Sequence, residues 1–177
     1  MNVTDGLELY GSKVLLRPYV RDYVPKYHSW MEDEELRAQT GSERLSLEEE
    51  YAMQEEWVKD PLKATFIVFD RSKVEGGEDG MVGDVNLFFE RKEDDGEGGA
   101  EISLMIAEKD ARGKGFGREA LQLMLRFAAY LGCTQVTAKI TDSNLPSLAL
   151  FRSAGFDKEK AIPAFEEIHL STSISPS

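Results

Sequence analysis

The chain is poor in the residues that staple or metallate small proteins. It has one cysteine, Cys133, and two histidines, His28 and His169, among 177 residues. An internal disulfide is therefore excluded, and a Cys/His zinc site cannot be built. The single thiol fits a reducing, cytoplasmic setting. No run of about 18 apolar residues occurs, so no membrane partner is expected. The opening stretch MNVTDGLELY has neither the basic start nor the apolar core of a signal peptide, so no leader is expected. Positive charge is also scarce. There are 21 Lys and Arg against 33 Asp and Glu, a net charge of −12. That balance argues against nucleic acid, whose phosphates call for cations. It favours cationic partners such as amines. Much of the acid lies in RSKVEGGEDG and RKEDDGEGG, which read as exposed, solvated loops.

What is present is an orderly series of short elements. Alternation predicts a strand over Lys13–Tyr19. Two short helical turns follow. Ser46 with Glu49 three residues on forms a capping box, which predicts a helix from Leu47 to about Trp57. ATFIVFD, MVGDVNLFFE and Ala100–Ala107 read as three strands joined by the acidic loops, an antiparallel meander. Ala120, Leu123, Met124, Phe127, Ala128 and Leu131 recur at helical spacing, and Gly132 ends that helix. A strand, a helix closed by Gly155 and a final strand pair complete the chain. One α+β domain over residues 1–170 with a mixed sheet is expected, with residues 171–177 as a disordered tail.

The stretch RGKGFG, residues 112–117, joins a strand to a helix. Free N–H groups at a helix start attract anions, and glycine lets a ligand approach the backbone closely. The spacing is neither that of a P-loop nor the G-x-G-x-x-G of a dinucleotide fold, and no acid for a ribose lies about twenty residues on. A pyrophosphate site and a plain connecting turn both remain open on the residues alone.

RGKGFG fits the Arg/Gln-x-x-Gly-x-Gly/Ala pattern of the GNAT acetyltransferase superfamily, with Arg112, Gly115 and Gly117 at its fixed positions. NLPSLALFRSAGF, residues 144–156, resembles that family's Asn-x-x-Ala/Ser…aromatic-x-x-x-Gly-Phe segment. YHSWMEDEEL, LSLEEEYAMQ and MVGDVNLF further resemble the N-acetyltransferase 9-like branch. The resemblance spans about Leu7 to Leu170. It implies a GNAT acyltransferase fold: a central, mixed, largely antiparallel and splayed sheet flanked by helices. It also implies acetyl-coenzyme A as co-substrate, with no metal. Met105, Ile106 and Ala107 would offer backbone groups to pantetheine. Arg112, Gly113, Lys114, Gly115, Phe116 and Gly117 would hold the pyrophosphate through main-chain N–H groups. Asn144 and Ser147 would lie near the thiol arm, or cap their own helix.

The sequence departs from the family where many members carry a tyrosine that protonates the leaving thiolate. That position is Phe151. It is expected to pack against the coenzyme or in the core. For the base, Glu101 at the start of the splayed strand is one candidate, and Asp84 with Asn86 a second. Deprotonating a lysine at neutral pH costs about 4–5 kcal/mol, and an α-amine about 1. A site with one weak base and no acid therefore suits an α-amine. Glu43 and His169 are the candidates for acceptor contacts, and direct attack in a ternary complex is the expected mechanism. The branch resemblance points to a protein amino terminus, with a link to tubulin. Acetylation of a small amine such as a polyamine, or a weakly active coenzyme-binding scaffold, are the alternatives.

Overall fold

The computed structural model describes residues 2–91 and 98–175. Most of the second acidic loop, at 92–97, and residues 176 and 177 of the expected tail lie outside the described residues. The elements in chain order are β1 (Leu9–Tyr10), β2 (Val14–Pro18), α1 (Val24–Trp30), α2 (Glu34–Thr40), α3 (Leu47–Lys59), β3 (Lys63–Asp70) and α4 (Arg71–Glu75). They continue as β4 (Met81–Phe89), β5 (Gly98–Ile106), α5 (Phe116–Tyr130), β6 (Cys133–Thr141), α6 (Leu145–Ser153), β7 (Lys158–Ile162) and β8 (Glu167–Ser173). One sheet runs β1-β2-β3-β4-β5-β6-β8-β7. Each pairing is antiparallel except β5 with β6.

The sheet buries both faces, which is why β3 and β4 read as near-continuous apolar runs. On one face Phe66, Val85, Leu87 and Ile102 pack under α5 and α6. Phe66 meets Phe127 of α5 edge-on at 5.5 Å. Each such side chain, wholly buried, is worth about 1.5–3 kcal/mol. On the other face Tyr19, Tyr27, Trp30 and Trp57 form an aromatic group under α1 and α3, with ring centroids 5.2 to 6.2 Å apart.

β5 and β6 pair from Gly98↔Cys133 to Glu101↔Thr137 and then part. Beyond that point β5 continues only with β4, and β6 only with β8. The sheet is therefore open at its centre, on the carboxyl side of two parallel strands.

Three details differ from the sequence-based expectation. RSKVEGGEDG is not loop throughout: α4 occupies its start, capped by Asp70, whose Oδ1 accepts from the Ser72 N–H at 3.1 Å. Residues 171–173 are not tail: β8 runs to Ser173, and the Ile174 N–H donates to the Thr134 carbonyl at 2.9 Å. Leu121, outside the expected stripe of α5, is fully buried.

The capping box of α3 is present. The Glu49 N–H donates to Ser46 Oγ at 3.2 Å, and the Ser46 N–H to Glu49 Oε1 at 3.0 Å. Ser46→Ala is expected to cost about 1 kcal/mol, lowering the melting temperature by about 2–4 °C in a thermal unfolding scan.

Candidate active site

β5 is followed by a 3-10 turn at Lys109–Ala111, and α5 begins at Phe116 with Gly115 as its cap. Gly115 sits at φ +86°, a conformation that strains any residue with a Cβ. No side chain caps this helix, and the Glu119 N–H is the first to reach back, to the Gly115 carbonyl at 3.1 Å. The N–H groups of Phe116, Gly117 and Arg118 thus have no carbonyl one turn back. They border a groove of about 460 Å³, whose walls include Leu104, Met105, Ile106, Gly113, Gly115, Gly117, Asn144 and Ser147. A glycine-capped helix start beside an apolar strand can take an anion with an extended tail.

Several of the residues expected here already have partners within the chain. The Arg112 N–H already donates to the Lys109 carbonyl at 3.2 Å. Its guanidinium turns back, with Nε donating to the Ile106 carbonyl at 2.9 Å and Nη2 to that of Ala107 at 3.5 Å. Arg112 therefore ties the turn to the end of β5, and the Ile106 carbonyl is occupied. The Ala107 N–H donates to Val82 at 2.8 Å, and the residue is buried in the aromatic-side core. Lys114 is exposed and absent from the groove wall. The ammonium beside the turn is instead Lys13, whose Nζ donates to the Lys114 carbonyl at 3.0 Å. It lies 3.1 Å from where a Cβ on Gly115 would stand. Glu119 positions it by accepting from the Lys13 N–H at 2.8 Å, the Val14 N–H at 2.9 Å and Ser12 Oγ at 2.8 Å. Partial burial pushes the Glu119 carboxyl up, but these hydrogen bonds outweigh it and hold it below its ordinary value.

A second cavity, of about 500 Å³, lies against the first. Leu104, Met105, Asn144 and Ser147 line both, so the two spaces meet where β5 and β6 part. The second is built on one face of the sheet. Ile67, Asp84 and Met105 are in register, as are Thr65, Asn86 and Ser103, and Lys63, Phe88, Glu101 and Thr137. Directly paired residues share a face.

Asp84 is 4 % exposed. Tyr27 Oη donates to its Oδ2 at 3.1 Å, and Asn86 Nδ2 to the same atom at 3.2 Å. Burial raises its pKa to about 6, against the opposing pull of the two hydrogen bonds and of the Lys63 charge. Asn86 is held in turn by Thr65 Oγ1, which donates to its Oδ1 at 2.7 Å. Lys63 is 6 % exposed, and burial lowers its pKa to about 8 against the charges of Asp84 and Asp60. Its Nζ stands 3.1 Å from the ring centre of Trp57 and 4.7 Å from that of Phe88.

The other candidates are placed as follows. Glu101 lines the second cavity, half-exposed and paired with Lys139 at 3.4 Å. Phe151 is 2 % exposed, packs edge-on to Phe156 at 5.0 Å, and lines the second cavity instead of the groove expected for a coenzyme contact. Asn144 caps α6, accepting from the Ser147 N–H at 3.4 Å, while both residues line the junction. Glu43 is exposed beyond Gly41 and Ser42, which do line the cavity. His169 is not among the cavity's lining residues; its Nε2 lies 3.2 Å from Oε1 of Glu167, which is. His28 is apart, between Glu32 and Glu50. Tyr27, Lys63 and Lys13 were missed. Each is an ordinary residue in its local stretch, and only distant partners bring it to the site: strand register for Lys63, the packing of α1 for Tyr27, and Glu119 for Lys13.

The family model for the acetyltransferase (GNAT) domain matches residues 13–157. An N-acetyltransferase 9-like protein of Nematostella vectensis is 43 % identical over 175 residues, covering 96 % of this chain and 87 % of its own length. The human alpha/beta-tubulin-N-acetyltransferase 9 is 44 % identical over 184 residues, covering 100 % of this chain and 88 % of its own. Among solved structures, spermidine N-acetyltransferase from Vibrio cholerae, in complex with CoA and spermine, superposes with a TM-score of 0.75 at 17 % identity. That match covers 92 % of this chain and 96 % of the other.

If backbone donors carry the anion, Gly115→Ala should weaken coenzyme A binding by about tenfold, since a Cβ at that φ costs about 1–2 kcal/mol and displaces Lys13. Lys114→Ala should stay within about twofold, and Lys13→Ala should fall between them. Calorimetric titration separates the three; equal losses in all three would assign the site to side-chain charge.

Proposed function

The chain belongs to the GNAT acetyltransferase family and is an N-acetyltransferase, and from that premise we propose that it acetylates protein amino termini in the cytoplasm. The observation that supports this reading is the meeting of two cavities at Met105, Asn144 and Ser147, with Asp84 buried on one side of the junction. The groove at Gly113–Gly117 fits coenzyme A: it offers uncapped helix N–H groups, an apolar strand edge and the Lys13 ammonium. Acetyl-coenzyme A supplies the thioester, whose carbonyl carbon bonds to the neutral amine nitrogen as the carbon–sulfur bond breaks; the nitrogen then gives up a second proton, and the sulfur takes one up to leave as the thiol.

The remaining work falls to side chains of the second cavity. Asp84 Oδ1, free of the two hydrogen bonds on Oδ2, takes the proton of the acceptor ammonium. A base near 6 receiving from an α-ammonium of pKa about 8 runs uphill by about 3 kcal/mol; from a lysine of about 10.4 it is about 6 kcal/mol. That difference favours an α-amine. Tyr27 and Asn86 orient the carboxylate. Phe151 has no proton to give, and we assign to the Ser147 hydroxyl, at the junction, the part of meeting the departing thiolate. Thiols ionise near 8.5, so this help is small. The human relative's name carries tubulin as the acceptor, and tubulin amino termini are the protein acceptor to test first.

Following free thiol with acetyl-coenzyme A, short peptides and free amines tests the reading: turnover of α-amines is expected, and turnover of polyamines alone would sink it. The pH profile of kcat should rise through about 6 as Asp84 loses its proton. Asp84→Asn should lower kcat by about 100-fold or more. The same change should raise stability at about pH 8, since a carboxyl with a raised folded pKa contributes stability that is lost as pH rises through that value. From 3.8 to about 6, the gain is at most about 3 kcal/mol, vanishing below about pH 4. Thermal melts at the two pH values check the sign.

A further inference from the structure

Lys63 is the charged group of the second cavity that the chemistry above leaves unused. Its side chain is nine-tenths buried, lines the cavity, and makes no hydrogen bond or ion pair among the described residues. The rings of Trp57 and Phe88 hold the ammonium by its charge but accept none of its three N–H groups in the ordinary sense. Its donors are left to water or to an acceptor that enters the cavity it lines. The neighbouring acids do not supply one. Glu101 is paired with Lys139 at 3.4 Å and Glu167 with His169 at 3.2 Å. Asp84 acts on Lys63 through its charge, and no hydrogen bond or ion pair joins the two side chains among the described residues.

Building on the acetyltransferase reading, we propose that Lys63 is a specificity residue that selects acceptors carrying a carboxylate close to the reacting amine. The sheet register sets the distance. Lys63 stands in the row of Phe88 and Glu101, and Asp84 in the row of Met105, four positions along β4. At about 3.3 Å per residue these rows are about 13 Å apart, less the reach of the lysine stem. An extended peptide with its amine at Asp84 brings the side chain of its second or third residue to Lys63. The same ammonium disfavours a polyamine, whose second cationic centre would meet it without an intervening anion.

The test compares kcat/KM for pentapeptides that differ by Glu against Gln at the second or third position, in the wild-type protein, Lys63→Met and Lys63→Arg. The wild type should prefer Glu at least about tenfold at one of these positions. Lys63→Met, which keeps an unbranched stem between the rings, should bring the ratio to within about twofold, and Lys63→Arg should keep it. Equal use of Glu and Gln by the wild type, or a preference that survives Lys63→Met, overturns the proposal; so does spermidine turned over as well as the Glu peptide. If Lys63→Met does not fold, the wild-type ratio and its retention in Lys63→Arg decide the question. If no peptide is turned over, the acetylation of amino termini falls on its own. The same peptides are then titrated by tryptophan fluorescence. Tighter binding of Glu than Gln supports the carboxylate site, and equal binding rejects it.

Discussion

Parallel strands β5 and β6 share hydrogen bonds from Gly98 to Glu101 and then diverge. A continuous sheet would satisfy every backbone group of Ile102–Ile106 and leave no room between the layers. The divergence leaves one edge of β5 without a strand partner and opens two spaces, one on either side of Leu104 and Met105. An unpaired strand edge inside a protein is a liability unless something hydrogen-bonds to it. Here a ligand's amide groups can do so. The groove, the second cavity and their junction all follow from this opening. The aromatic group below and α5 above hold the two halves of the sheet in place around it.

The electrostatics of the acceptor side follow from burial. Asp84, Asn86, Thr65 and Lys63 occupy strand positions that would carry apolar residues in a plain core. Each is positioned by a neighbour: Tyr27 and Asn86 on Asp84, Thr65 on Asn86, Trp57 under Lys63. Removing water raises the carboxyl and lowers the ammonium, so both titrate closer to neutrality than they would at a surface. Such displaced values gather at functional sites because proton transfer needs a base near the working pH.

Local chemistry made much of the fold legible. The Ser46–Glu49 box, the apolar stripe of α5, the glycine stops at 132 and 155, and the three-strand meander each rest on interactions within a few residues. The turn at 112–117 was legible too, as a helix start without a side-chain cap. Legibility failed where a residue's role depends on a distant partner. Arg112 looks like a phosphate ligand, yet its guanidinium binds the carbonyls ending β5. Ala107 looks like pantetheine-binding backbone, yet its N–H belongs to Val82. Lys13 reaches the turn from about a hundred residues upstream, through Glu119.

The amino-acid order by itself determined most of the elements and the glycine turn at a helix start, because capping, periodicity and glycine conformation act over short spans; the pairing of that turn with the Asn144–Phe156 segment came from the family resemblance. It also carried Asp84 and Glu101 as equal candidates for the base. What separates their surroundings is set by the tertiary structure. Strand register puts Asp84 under Tyr27, out of water, and puts Glu101 beside Lys139 at a half-exposed edge. Burial is a property of the packed sheet, and no stretch of sequence contains it.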